Sequence, residues 1–249
     1  RTFELGTMYI ADTHVTYKVL RYDEDLVTNF EKFEKSFTYA NDKMKDEFSK
    51  YLPKIAQKIV TKDHIYLVIN KTKDLLSLRD VLDYYKIMDP KHVAWITSRL
   101  YNIACYFQYQ NIVHNNLDLD SIFISPEFHS VAVLGGWWYT STNENKFHAL
   151  PSRTIDNGSY DLLMLKKAKF SYDLDLIKTL GKELLGDITG SKLLLKKDLP
   201  IPLIQWLRTN SSNDAKKEYE LWYNVVVDKS FGAKKFTVME LTSEMIYSK

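Results

Sequence analysis

Reactive side chains gather in one short stretch of this chain, His114-Asn115-Asn116-Leu117-Asp118-Leu119-Asp120-Ser121. A loop carboxylate can act as a general base, or as a ligand for a hard ion such as Mg²⁺, which wants charged oxygen donors. Asp118 and Asp120 are the two candidates for that work, set against the ordinary fate of loop carboxylates, which is solvation. Ser121 offers a single neutral hydroxyl. A backbone cradle for phosphate needs several residues without Cβ, and the chain has only 8 glycines. Phosphate chemistry therefore starts from a poor inventory. Cys105, the single cysteine, lies in an apolar helical pattern and reads as packing rather than as a nucleophile.

The elements that must position these residues follow from periodicity. Met8 and Ile10, then Val15, Tyr17 and Val19 after a turn at Asp12–Thr13, alternate as paired strands. Residues 25–50 change to a helical period rich in Glu and Lys, closed by Pro53. Strands are expected at Lys58–Thr61 and Ile65–Ile69, and the polar run Asn70–Asp74 then breaks the pattern. Beyond it Val93, Ile96, Leu100, Ile103 and Phe107 recur at three and four residues, which predicts a long helix with Asp89 as N-cap and Pro90 in its first turn. The 114–121 loop follows, then a hairpin of Ile122–Ile124 and Val131–Leu134. Residues 135–160 read as an extended segment. Asp173–Leu185 is helical again, and further helices are expected at 201–208, 215–227 and 237–247.

Composition limits the functional class. The chain has 249 residues, 45% of them apolar and 27% charged, which is enough for one large domain or two joined lobes with a real core. The balance of 34 basic against 32 acidic residues predicts neither a nucleic-acid partner nor an anionic membrane surface. No apolar run reaches the ~20 residues of a membrane span. No signal-peptide pattern precedes the first strand, and the absence of an initial Met fits a processed or excised domain. A lone cysteine gives no intrachain disulfide and fits a reducing, cytoplasmic setting.

With the elements in order, His114-Asn115-Asn116-Leu117 through Ser121 resembles the protein-kinase catalytic loop H-R-D-L-x-x-x-N with its working residues replaced. His114 and Leu117 fall on the His and Leu, Asn116 on the catalytic Asp, and Ser121 on the metal-binding Asn. Val15-Thr16-Tyr17-Lys18 is similar to the V-A-I-K strand, which puts Lys18 at the phosphate-contacting lysine. Its Glu partner is sought on the following helix, with Glu47 favoured over Glu31 and Glu34. Only Gly6 stands where a Gly-rich loop belongs, and Gly135-Gly136-Trp137 stands where D-F-G belongs, so neither glycine supplies the metal-binding carboxylate. Ser159–Leu163 resembles A-P-E with Asp161 at the Glu, and Lys234 or Lys235 stands where a late Arg pairs with it. Asp173 or Asp175 takes the place of an Asp that supports the catalytic-loop backbone, and His114 is then a structural residue. The narrower resemblance is to degenerate kinase-like domains encoded by large bacteriophages.

The resemblance implies an α+β, two-lobed kinase-like fold. Residues 1–70 form a small antiparallel-sheet lobe with one main helix, and 71–249 a mainly helical lobe with 91–110 and 174–185 among its buried helices. It implies a catalytically inactive pseudokinase that works as a protein-interaction or scaffold module for an unknown protein partner, with no nucleic acid and no membrane. No cofactor is implied beyond weak, metal-independent ATP binding. The competing readings are an atypical ATP-dependent phosphotransferase or nucleotidyltransferase using Asp118 or Asp120, and an unrelated α+β protein. Trp137 and Trp138 are expected to include at least one buried ring. Asn116→Asp, Ser121→Asn and Gly136→Asp together are expected to leave the fold intact while restoring little transfer.

Overall fold

A computed structural model of the chain describes residues 1–158, 164–234 and 237–247. Alternation builds its first part. Strands β1 (Thr2–Phe3), β2 (Gly6–Ile10), β3 (His14–Leu20), β4 (Ile55–Val60) and β5 (His64–Asn70) form one antiparallel sheet in the order β1-β2-β3-β5-β4. Val15, Tyr17 and Val19 of β3 stand opposite Ile69, Leu67 and Ile65 of β5, and all six are buried on one face. Period-two burial of this kind fixes the register, because a one-residue slip would turn the whole set outward.

Two helices, α1 (Glu24–Glu34) and α2 (Asp42–Phe48), separate β3 from β4. One main helix was expected across 25–50. The break has a local cause: Ser36, Phe37, Thr38 and Tyr39 are poor helix formers, and Asn41 caps a new helix by accepting the Met44 N–H at 2.9 Å. Tertiary contacts reinforce it, since Phe37 packs edge-on to Trp137 and Tyr39 stacks on Tyr106.

The chain changes character after Asn70. The Lys71 ammonium is buried and donates to the carbonyl oxygens of Asp12, Thr72 and Leu75 at 2.9, 3.2 and 3.1 Å, tying the β2–β3 turn to the connector. Then come β6 (Leu76–Ser77), α3 (Leu78–Tyr85) and α4 (Pro90–Tyr109). Asp89 caps α4 through the Lys91 N–H at 2.8 Å, with Pro90 in the first turn. Strand β7 (Ile112–Val113) leads into the 114–121 loop, followed by β8 (Ile122–Ser125) and β9 (Ser130–Val133). The small sheet β6-β8-β9 shares no strand with the large one.

The segment 135–160 is not simply extended. It contains a 3-10 turn at Trp137–Tyr139, a strand β10 (Ser141–Thr142) that pairs with β7, and α5 (Ser152–Asn157). Helix α6 (Phe170–Leu184) packs on α4. Beyond it lie α7 (Ile201–Leu207), then α8 (Ala215–Leu221), which continues through a π turn (Trp222–Val227) into α9 (Asp228–Phe231), and finally α10 (Ser243–Tyr247). In the expected helix 237–247 only Ser243–Tyr247 is helical. The chain is thus α+β, and one continuous hydrophobic core runs from the sheet through α4 and α6 to the π turn. Among the described residues no helix is long and apolar enough to cross a membrane.

A buried ion pair lies in the helical part. Lys178 of α6 lies 3.3 Å from Glu218 of α8, with its ammonium 4.8 Å from the Trp206 ring centre and bonded to Thr209. Glu218 also accepts the Ser212 N–H at 2.7 Å. Removing one member strands a buried charge, at a cost of about 3–5 kcal/mol, whereas replacing both with apolar residues is far milder. Glu218→Ala should therefore destabilise the protein by that amount in urea unfolding, and Lys178→Met/Glu218→Leu should recover most of the loss. A double variant as unstable as the single one would contradict this assignment.

Candidate functional site

The 114–121 loop is held from below by a single carboxylate. Asp173, in the first turn of α6, accepts the backbone N–H groups of His114 at 2.7 Å and Asn115 at 2.8 Å. Asn115 adopts φ 66°, a conformation Asn tolerates better than most residues. Its amide donates to the carbonyls of Val113 and Tyr139, and its own carbonyl accepts the Thr154 hydroxyl at 2.6 Å. Burial drives the Asp173 pKa up to about 7 although both backbone bonds pull it down. Of the two residues considered for the supporting position, Asp173 takes it, while Asp175 accepts the Ser211 N–H at 2.8 Å.

His114 is fully buried. Its Nε2 lies 3.0 Å from the Gly135 carbonyl and its Nδ1 accepts the Asn116 N–H at 3.3 Å, which assigns the proton to Nε2. The ring stacks on Phe107 and meets Trp137 edge-on, with centroids 5.9 and 4.7 Å away. Burial pushes its pKa down to about 3, so it is neutral at physiological pH. It shapes the loop rather than facing the cleft.

Both candidate carboxylates are engaged. One oxygen of Asp118 accepts the N–H groups of Asp120 at 3.0 Å and Ser121 at 2.7 Å. The Ser121 hydroxyl in turn accepts the Asp118 N–H at 2.9 Å and donates to the Asp118 carbonyl at 3.0 Å. Burial first, and Asp120 second, raise the Asp118 pKa. Asp120 is forked by Arg79, with Nε and Nη2 donating at 2.6 and 2.7 Å. Such bidentate bonds are among the stronger polar contacts in proteins. Sequence reasoning missed Arg79, and with the partners 41 positions apart no local spacing could have revealed the pair.

The loop borders a cavity of about 390 Å³ between the two parts of the chain, lined among others by Phe3, Tyr17, Asn116, Asp118 and Trp138. Tyr17 fills much of the space beside the glycines. A Cβ added to Gly135 would lie 2.5 Å from the Tyr17 hydroxyl oxygen. One added to Gly136, where φ is +79°, would lie 2.6 Å from His114 Cε1 and 2.8 Å from the Asn116 carbonyl oxygen. A side chain at either position must displace a neighbour, so the triple variant that includes Gly136→Asp carries a steric cost the residues alone did not reveal. Trp138 packs against Tyr17, Phe30 and Phe3 with centroids 5.3, 4.6 and 6.1 Å apart. Trp137 and Trp138 are 0% and 1% exposed, so both rings are buried where at least one was expected. Glu4, in the β1–β2 turn, spans the cleft by accepting the Ser152 N–H and hydroxyl at 3.0 and 2.6 Å and the Tyr139 hydroxyl at 3.2 Å.

The structure does not bring Lys18 and Glu47 together. Tyr17 faces the cleft, so strand alternation puts Lys18 on the opposite face of the sheet. Glu47 instead accepts the Tyr51 hydroxyl at 2.9 Å and lies 3.4 Å from Lys50. The lysine–glutamate pair that α1 does make joins Glu31 to Lys58 of β4 at 2.6 Å. Asp161 and Lys235 lie outside the described residues, as does the side chain of Lys234. Among the described residues no three His, Cys, Asp or Glu side chains converge as a metal site would require. Cys105 is half-buried and its thiol pKa is pushed up to about 11 by burial, in keeping with packing. No protein-family model matches the chain, and no curated protein is significantly similar to it.

Two outcomes test this geometry. Asp173→Asn leaves one of the two buried N–H groups facing an amide donor, so it should cost about 1–3 kcal/mol in urea unfolding at pH 7. The His114 pKa is lower in the fold than its ordinary value of 6.5, so its contribution is complete above pH 6.5 and is lost as pH falls toward 3. The raised pKa of Asp173 acts in the opposite sense, favouring the fold below about pH 4 and losing that contribution as pH rises through 7. That opposing slope is common to wild type and a His114→Gln variant. Between pH 7 and 5 wild type should therefore lose roughly 2 kcal/mol more stability than His114→Gln. Parallel pH profiles for the two proteins would show that His114 is not buried neutral.

Proposed function

We propose that this chain is a degenerate protein-kinase-like domain, a pseudokinase, that acts through protein contacts rather than by phosphoryl transfer. The observation that carries the reading is the state of the loop carboxylates and their surroundings: Asp120 is bound by Arg79, Asp118 caps its own turn, and Tyr17 and His114 fill the space beside Gly135 and Gly136. Phosphoryl transfer depends on positioning and on metal-assisted charge stabilisation, and losing one stabiliser alone typically costs roughly 10²–10³ in rate. Here neutral Asn116 and Ser121 sit at the resembling positions, and Lys18 faces away from the cleft. The order of elements supports the kinase-like part of the reading. A five-stranded sheet with helices after its third strand gives way at residue 70 to a long helix, a loop and a short hairpin. The near-neutral charge and the lone Cys105 go with a cytoplasmic protein whose partner is another protein.

One observation favours a second reading. Asp118 lines the cavity and its pKa is raised, and perturbed carboxylates in clefts mark functional sites often enough to matter. An atypical phosphotransferase would have to use Asp118, because Asp120 is held by Arg79.

Thermal denaturation with ATP, with and without Mg²⁺, separates the two, together with a radiolabelled-ATP transfer assay in Mg²⁺ or Mn²⁺ on wild type and Asp118→Asn. A pseudokinase should show no magnesium-dependent rise in Tm and no label transfer. A rise of several degrees with Mg²⁺, or transfer abolished in Asp118→Asn, would establish the enzyme instead. Gly136→Asp should lower stability by at least about 2 kcal/mol in urea unfolding through overpacking and a strained φ, and an unchanged midpoint would show that the corner accommodates a side chain.

A further inference from the structure

A second cavity, sharing no lining residue with the first, lies in the groove between α4 and the continuous helix formed by α8, the π turn and α9. It measures about 300 Å³, and its lining includes Trp95, Arg99, Tyr219, Tyr223, Val227 and His129. Tyr219, Tyr223 and Val227 recur every four residues and so form one stripe, as do Trp95 and Arg99 on α4. The groove is built, not incidental. Trp222 turns into the core and its indole N–H donates to the Ser98 hydroxyl at 2.8 Å, while that hydroxyl donates to the Ala94 carbonyl at 2.9 Å, fixing the two helices against each other. The helix carries its π turn at this point, and such turns are frequent at functional sites.

Arg99 is the one charged residue of the lining. Its Nε–H donates to the His129 carbonyl at 2.9 Å, and the His129 ring lies 5.3 Å from the Trp95 ring. The guanidinium is thereby held in place beside the indole; among the described residues its two terminal nitrogens make no hydrogen bond to a carboxylate or carbonyl, and its charge acts only weakly on Glu47, whose carboxylate is already taken by Tyr51 and Lys50. A fixed guanidinium with a free fork, next to three aromatic rings, is suited to a carboxylate attached close to a flat ring. The volume stands at the lower end for small-molecule sites, so it suits one ring rather than a nucleotide. Protein interfaces typically anchor on an aromatic side chain seated in such a pocket.

We infer that this groove binds an aromatic side chain of a partner protein, with a carboxylate on the adjacent residue taken by Arg99. The ring lies among Trp95, Tyr219 and Tyr223, and the acid bonds to the free guanidinium edge. This goes beyond the reading of the cleft and does not depend on it, because none of the cleft residues takes part.

The test is an NMR titration that follows the Trp95 indole N–H, assigned with Trp95→Phe, using the blocked dipeptides acetyl-Trp-Glu-amide and acetyl-Trp-Lys-amide and, separately, indole-3-acetate. The glutamate dipeptide should give a saturable shift at Trp95 and bind about five-fold more tightly than the lysine dipeptide. Arg99→Gln, at an exposed position, should abolish that preference while leaving the fold intact by circular dichroism. Tyr223→Ala should weaken both dipeptides. Equal binding of the two dipeptides, no saturable shift, or shifts centred on Trp138 in the cleft would each overturn the proposal. Binding of indole-3-acetate without the glutamate dipeptide would make this a small-molecule site and overturn the protein partner.

Discussion

The carboxylate of Asp173 is buried beneath the 114–121 loop and receives two backbone N–H groups that would otherwise be stranded in the core. That pair of bonds sets the path of the chain from β7 into the loop. Everything above it inherits the geometry. With His114 and Asn115 fixed, the imidazole can reach the Gly135 carbonyl, and the Asn115 amide can reach that of Tyr139. The loop is thereby bound to 135–139, the segment that carries the two buried tryptophans. The burial that raises the Asp173 pKa costs free energy that its two hydrogen bonds only partly offset. A buried network of this kind is stabilising only when nearly every member is satisfied.

The second constraint is steric. Gly135 and Gly136 are required less for backbone freedom in general than for what surrounds them. Tyr17 descends from the sheet onto the first, and His114 with Asn116 closes on the second. Trp138 then fills the space among Tyr17, Phe30 and Phe3, so one aromatic cluster joins β1, β3, α1 and the 135–139 corner. Glu4 adds polar bonds across the same gap. Close packing of this sort resists even small added volumes. The same aromatic rings that tie the sheet to the 135–139 corner also line the cavity beside the loop.

The engaged carboxylates make the same point electrostatically. Asp120 and Arg79 neutralise each other at close range, and Asp118 directs one oxygen to two backbone N–H groups of its own turn. These are interactions that position a loop. Arg99 is the contrasting case, since its guanidinium lines an aromatic groove and, among the described residues, makes a single hydrogen bond, to the His129 carbonyl.

The sequence by itself determined the elements whose signal is local. The β2–β3 hairpin, helix α4 with its Asp89 cap and Pro90, the β8–β9 hairpin and helix α6 all follow from the period of apolar residues and from capping chemistry, which act within a few positions. The resemblance put His114, and either Asp173 or Asp175, in structural roles; only the folded chain separates the two acids, giving Asp173 the loop N–H groups and Asp175 that of Ser211. Tertiary structure alone decided what depends on distant partners. The division of 25–50 into two helices answers to rings on Trp137 and Tyr106, and the short helix α5 arises where no periodic pattern existed. Which side of β3 meets the cleft was fixed by the packing of Tyr17 against Trp138, and that turned Lys18 outward. The fate of Asp120 was fixed by Arg79, a residue with no local link to it. Periodicity reports which face of an element is apolar, whereas the pairing of a charge or the filling of a gap depends on which faces meet, and that is set only when the whole core assembles.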